Sequence, residues 1–200
     1  MSTARDSSPL TREAILDASI RMFQKRGFAG IGMRQIAEGL HVKAPSLYHH
    51  FPSKEALARQ ALHQYREQQL SSLQLIDDAG NLLSALTGYS RLFSSMLEDG
   101  LRPCLYLVMT QDPTLHESSC REELERFKLQ NVEWLEHLFL RHKQDLRLPV
   151  GMREDELALL VFASLEGMML VSLLQPEPAI AFQNMADGWL RTVAREAAAF

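Results

Sequence analysis

The run V-K-A-P-S-L-Y-H-H-F at residues 42–51 limits what this chain can fold into more than any other stretch. Lys-Ala-Pro-Ser punctuation opens it, and Tyr48, His49 and His50 then crowd onto one brief helix, expected over 44–50. Met33, Ile36, Ala37 and Leu40 form an amphipathic segment just upstream, and Pro52-Ser53-Lys54-Glu55 starts another helix downstream. Two short helices around a tight turn, the second presenting polar side chains, are the layout of a helix-turn-helix that reads a DNA groove. Leu47 and Phe51 remain to anchor that helix.

A formal net charge of −4 runs against that reading until the chain is divided. Residues 1–63 hold nine Lys/Arg against five Asp/Glu, a net +4, and residues 64–200 hold twelve against twenty, a net −8. Four of the seven His (41, 49, 50 and 63) also lie in the first part. A basic unit on an acidic body is the asymmetry that nucleic-acid binding predicts. Two cysteines, Cys104 and Cys120, make no disulfide framework. The apolar run 157–174 approaches membrane-span length, but Glu166 at its middle and acidic residues 154–156 before it favour a buried bundle helix. With no signal peptide and no span, a cytoplasmic protein is expected.

Helix formers dominate throughout, which predicts an all-α chain of about nine helices. The first is expected over 10–26, with Ile15, Leu16, Ser19, Ile20, Met22 and Phe23 on one arc and Gly27 as the stop. Ser53 caps a long fourth helix reaching Ile76, followed by the break at 77–81. Five more helices follow: 82–97, about 102–111, a long one to about Arg147, 153–174 and 178–198. Ser119-x-x-Glu122 reads as a capping box opening the long one. The expected units are an N-terminal arm and head over 1–53, and a connecting helix with a ligand-binding and dimerisation body over 54–200.

At Thr11–Leu62 the chain resembles the TetR family of bacterial transcriptional regulators. The resemblance rests on I-L-D-A-S-I-R-M-F-Q-K-R-G-F (15–28), R-Q-I-A (34–37) and S-L-Y-H-H-F-P-S-K-E-A-L (46–57). It implies a homodimer that binds a palindromic double-stranded DNA operator through two heads. It also implies a small-molecule effector held in the body and a dimer interface formed by 153–174 and 178–198. The expectation for this chain is a repressor released by a small apolar or amphipathic effector. Three positions depart from the pattern: His41 where a turn glycine is usual, Lys43 where Ser or Thr commonly caps, and Gly32 where Ser or Thr caps the second helix.

Candidate DNA-contacting residues are Arg34, Lys43, Ala44, Pro45, Ser46, Tyr48, His49 and Lys54. The small Ala44 suits a thymine methyl, Tyr48 and His49 suit phosphate or base edges, and the cations suit phosphates. His50 either joins them or packs inward beside Phe51. Arg5 either reaches a minor groove or belongs to a simple tail. Effector-site candidates are Tyr89, Phe93, Cys104, Met109, Phe127, Trp134, Phe162, Glu166 and Met169, aromatic and Met-rich positions on inward helix faces. Such a stripe also suits plain core. Glu166 takes a partner, binds a cationic or hydroxylated effector, stays protonated, or hydrogen-bonds at the dimer interface. Cys104, after Arg102-Pro103 at a helix start, is either a thiol whose pKa the helix end and cation lower or a small buried hydrophobe. The first option gives an electrophile or redox sensor on the same fold, a use the resemblance also allows. A helical ligand-binding dimer without DNA binding is the other rival.

Enzymatic and metal readings find little support. His116-Glu117-Ser118-Ser119-Cys120 lies at a helix entrance with no third ligand evident, so no metal is expected. Gly27-x-x-Gly30-x-Gly32 lacks a phosphate loop's strand and spacing, no G-x-S-x-G elbow occurs, and neither a cofactor nor catalysis is expected.

Overall fold

A computed structural model describes residues 11–77 and 80–195, so Arg5 of the expected arm and the last residues of the expected final helix lie outside the described residues. Among the described residues there are nine α-helices: α1 (Arg12–Arg26), α2 (Met33–Gly39), α3 (Ala44–His50), α4 (Lys54–Ile76), α5 (Leu82–Glu98), α6 (Leu105–Thr110), α7 (Cys120–Arg141), α8 (Glu154–Ser172) and α9 (Pro178–Val193). A 3-10 turn, Pro113–Glu117, lies between α6 and α7.

Local chemistry sets most of these boundaries. Thr11 Oγ1 accepts the Ala14 amide at 3.2 Å, which starts α1. Gly27 at φ +69° ends it and donates its amide to the Phe23 carbonyl at 2.8 Å. Phe23, Ile36, Leu47 and Phe51 close the core of the head. A Cβ at Gly39 would lie 2.5 Å from Met22 Cε, so the Met22 side chain of α1 packs directly on the Gly39 backbone of α2 and would have to shift for any larger residue. His41 adopts φ +57°, the left-handed conformation usually left to glycine, and so carries the strain of the turn into α3.

The helix α4 belongs to both halves of the molecule. Ser53 Oγ caps it at the Ala56 amide, 3.0 Å away. Its first turns bury Leu57, Ala58, Ala61 and Leu62, and its later turns bury Tyr65, Gln69 and Leu73. It packs on α1 at one end and on α5, α6 and α7 further along. Phe93 of α5 stacks on Phe182 of α9 with centroids 5.9 Å apart, while α8 packs between α7 and α9.

Three boundaries depart from the sequence-based expectation. The long helix α7 ends at Arg141 rather than near Arg147, and α9 ends at Val193. The cause is shared, because the two ends pair as extended chain. Leu146 bridges Ala194, the Arg147 amide donates to Val193 O, and the Arg195 amide donates to Asp145 O, both at 2.7 Å. The capping box at Ser119 does not form. Ser119 is itself helical, and its amide and hydroxyl donate to Glu55 Oε1 at 3.1 and 2.8 Å. These bonds hold the Glu55 carboxyl below the usual range and pin the start of α7 to the start of α4. Lastly, α6 begins at Leu105 instead of Arg102, with Cys104 as its flanking residue.

Candidate nucleic-acid interface and buried carboxylate

On α3, Leu47 is fully buried and Phe51 follows it inward, which turns Pro45, Ser46, Tyr48 and His49 outward. Tyr48 is 47% exposed, a large aromatic face with no neighbour to cover it. Lys43 before α3 and Arg34 on α2 are exposed, while Ala44 is half-buried against the head core. Seven of the eight candidates therefore share one end of the head. Lys54 differs: its Nζ donates to the Phe28 carbonyl at 3.0 Å and lies 4.0 Å over the Phe28 ring, so its side chain braces the α1–α2 loop. His50 turns towards Phe51, with ring centroids 6.5 Å apart, and its carbonyl accepts from Arg12 at 3.0 Å. Arg12, passed over in the sequence, is an exposed cation beside α3, its guanidinium 4.4 Å from the Phe51 ring centre.

The nine effector-site candidates do not form one lining. Phe93 belongs to a packed aromatic group with Tyr89 and Phe182. Met109 is fully buried core. Trp134 is half-buried and donates Nε1 to Asp77 Oδ1 at 2.9 Å, facing a separate surface cleft of about 510 Å³ with His137 and Arg141. Tyr89 is satisfied by Asn131, whose Oδ1 accepts its hydroxyl at 2.9 Å and Gln69 Nε2 at 3.2 Å; Asn131 Nδ2 in turn donates to Phe127 O.

The remaining candidates converge. Cys104 donates its amide to Met169 Sδ at 3.0 Å, and Glu166 is near enough to Cys104, Tyr65 and Tyr89 to help raise the pKa of each. Beside them, Phe127 is stacked between Tyr65 (5.5 Å) and Tyr106 (5.4 Å), and Phe162 leans on Tyr106 at 5.4 Å. Tyr65, on the buried stripe of α4, and Tyr106, half-buried on α6, were not singled out in the sequence, because a tyrosine at such a helical position reads as ordinary core or surface. Tyr106 faces an outer cleft of about 310 Å³ with Thr110, His116 and Arg121, and Tyr65 faces a cleft of about 600 Å³ between α1, α4 and α5. The three-ring stack spans from one cleft to the other.

Glu166 is 5% exposed, and neither carboxylate oxygen has a hydrogen-bond partner. Burial pushes its pKa up to about 8, against an ordinary value of 4.5, with Cys104 offsetting part of the rise. It is buried within the single chain, so it is not a group that a partner subunit would cover. Cys104 corrects its activated-thiol expectation. It is 1% exposed, burial pushes its pKa well above the ordinary range, and Arg102 turns away to pair with Asp99. Burial therefore outweighs the helix end here.

The outer face of α8 and α9 is apolar. Leu159, Leu160, Leu170, Val171, Leu174 and Ile180 are all exposed, with the small Ala163 and Gly167 exposed among them. No helix among the described residues is long and apolar enough to cross a membrane.

The small N-terminal head is joined to the helical body by α4, which packs on both. Residues 15–61 match the family described as bacterial regulatory proteins, tetR family. Over 58 residues the chain is 43% identical to the HTH-type transcriptional regulator LmrA of Bacillus subtilis, covering 28% of this chain and 31% of LmrA. Alignments to the first curated relatives span between 31% and 57% of those proteins' length. The fold matches a TetR-family regulator from Agrobacterium tumefaciens (TM-score 0.84, 19% identity, 92% of this chain and 97% of that one). It also matches AibR in complex with isovaleryl coenzyme A and operator DNA (TM-score 0.70, 23% identity, 93% and 99%). The likeness to the tetR family thus rests on residues 15–61, and the whole-chain likeness to the solved structures is one of fold.

Proposed function

We propose that this chain is a homodimeric, cytoplasmic transcriptional repressor that leaves its operator when a small effector enters the body. The observation that carries this reading is α3. An exposed Tyr48 and His49 on a helix anchored by Leu47 have no structural work in the head, and they stand beside Lys43, Arg34 and Arg12. A helix-turn-helix presents its recognition helix to the major groove in this way, with cations positioned on phosphates. The protein catalyses nothing; its output is a difference in DNA affinity between two states.

Two links support control from the body. Along α4, Tyr65 Oη lies 3.6 Å from Cys104 Sγ, and Asp17 of α1 accepts from Gln64 at 2.5 Å and Gln68 at 3.2 Å. Outside α4, Gln24 of α1 donates to Pro103 O at 2.9 Å, one residue from Cys104. A change around Glu166 thus reaches the head through α4 and through the start of α6. By linkage, an effector that weakens DNA binding must bind the DNA-incompetent form more tightly by the same factor. The uncovered apolar face of α8 and α9, with small residues at its centre, supports a four-helix dimer interface that sets the spacing of two heads.

The test is a gel shift with the DNA upstream of the protein's own gene. Affinity should fall linearly on a log–log salt plot, by about 0.9 per phosphate neutralised. No salt-sensitive shift would sink the reading in favour of a ligand-binding dimer that has lost DNA. The thiol-sensor alternative draws no support from the buried Cys104.

A further inference from the structure

In the proposed effector site, the O–H and N–H donors around Glu166 already have acceptors, and the weak Cys104 thiol beside it makes no hydrogen bond that satisfies either oxygen. The Tyr65 hydroxyl lies between Met96 Sδ at 3.0 Å and Cys104 Sγ at 3.6 Å. The Tyr89 hydroxyl points to Asn131 Oδ1, and the Cys104 amide to Met169 Sδ. The titratable groups close enough to interact with Glu166 are Tyr65 on α4, Tyr89 on α5, and Cys104 and Tyr106 at α6; none of them is a cation. By contrast, the other deeply buried carboxylate, Glu123, meets Arg66 at 3.3 Å and Arg126 at 2.8 Å. A buried carboxyl group with no partner is uncommon in folded proteins, and it points to a donor supplied from outside.

We propose that the effector is a small apolar amine, received as its cation by the Glu166 carboxylate beside the Tyr65–Phe127–Tyr106 ring stack. This rests on the effector reading above and names the chemistry of that same site. An anionic ligand would place a second negative group beside an unshielded carboxyl. A neutral alcohol satisfies one oxygen and leaves the cost of burying the charge unanswered. An ammonium group carries several N–H donors, supplies the missing charge, and finds ring faces that attract cations. The residues flanking Glu166 along its own helix, Phe162 and Met169, are apolar and suit the hydrocarbon part of such a ligand.

Proton accounting gives the proposal a signature. In the empty protein the carboxyl holds its proton up to about pH 8. An alkylamine is already protonated there, with a pKa near that of Lys, about 10.4. Forming the ion pair therefore releases one proton from Glu166 to solvent. Affinity for the amine should rise about tenfold per pH unit from pH 6 to about 8, then level off. A neutral ligand shows no such slope.

The experiment is calorimetric titration of the full chain with 4-phenylbutylamine and with 4-phenyl-1-butanol, its uncharged counterpart, from pH 6 to pH 9. The expected result is amine binding with that pH slope and a preference over the alcohol of at least about tenfold at pH 8, collapsing to near unity in Glu166→Gln. Slope and preference are read on the unaltered chain, so the test stands even if the variant folds poorly. Equal binding of amine and alcohol, a flat pH profile, or no amine binding at any pH overturns the proposal. The effector reading is judged separately, by whether any ligand that binds the body releases DNA in the gel shift.

Discussion

Tyr65 Oη and Cys104 Sγ lie 3.6 Å apart, joining the middle of α4 to the first residue before α6. That contact couples the helix carrying the head to the wall of the carboxylate site. It stands beside a second coupling, Gln24 to Pro103 O, which bypasses α4.

Tyr65→Phe keeps the ring stacked on Phe127 and removes the hydroxyl. Stability should fall by about 0.5–1.5 kcal/mol, the net worth of one hydrogen bond. Operator affinity without ligand should change little, while the fold-release by an effector shrinks. Gel shifts with and without ligand measure both. Gln24→Ala should act in the same direction, and the double variant should lose more coupling than either alone.

Burial of Glu166 makes the fold less stable as pH rises. Its pKa is raised on folding, so above the unfolded value of 4.5 the native state holds a proton that the unfolded chain has lost. Stability then declines with pH from about 4.5 to about 8, by up to about 1.4 kcal/mol per unit. Urea denaturation at pH 5, 6.5 and 8 reads the slope directly. Glu166→Gln should flatten it and be the more stable protein at pH 8; an unchanged slope would place the titration elsewhere.

Tyr48→Ala should weaken operator binding by at least about tenfold, on the order of 1–3 kcal/mol for a lost groove contact, with dimerisation unaltered. Leu47→Ala on the neighbouring position should instead cost about 2–5 kcal/mol of head stability. Comparing binding with thermal melting separates a lost contact from a lost fold. If Tyr48→Ala retains full affinity, α3 is not the reading helix.

Gly167 lies on the exposed face of α8, and a Cβ there meets nothing within 4 Å in the chain. Gly167→Arg should therefore leave helicity intact while converting the dimer to monomer in sedimentation. A dimer that persists would move the interface away from α8.

Cys104 should resist iodoacetamide in the native protein at pH 7, reacting only as fast as the chain opens. Rapid labelling, traced by peptide mass, would contradict the burial seen here.

The head was legible in the sequence because its signals are local. The Ser53 cap, Gly27, and the spacing of Leu47 and Phe51 each act within a few residues, whereas the Thr11 cap that starts α1 two residues later than expected was not read. His41 was also legible as the residue that takes the strained turn. What escaped depends on distant partners. Ser119 looked like a cap but donates to Glu55, far away in the chain, and α7 stops early because Leu146 pairs with Ala194. Lys54 looked like a phosphate ligand until the Phe28 carbonyl was brought to it. The buried carboxylate was half legible: its apolar flanks announced burial, but no periodicity reveals that the neighbouring O–H and N–H donors are already engaged elsewhere.

The Tyr65–Phe127–Tyr106 stack runs from one solvent cleft to the other. On the proposed reading, a guest bound for Glu166 from either cleft has to displace one of these rings, so its entry and exit would both be slower than diffusion, and DNA release would follow sustained rather than momentary supply of ligand.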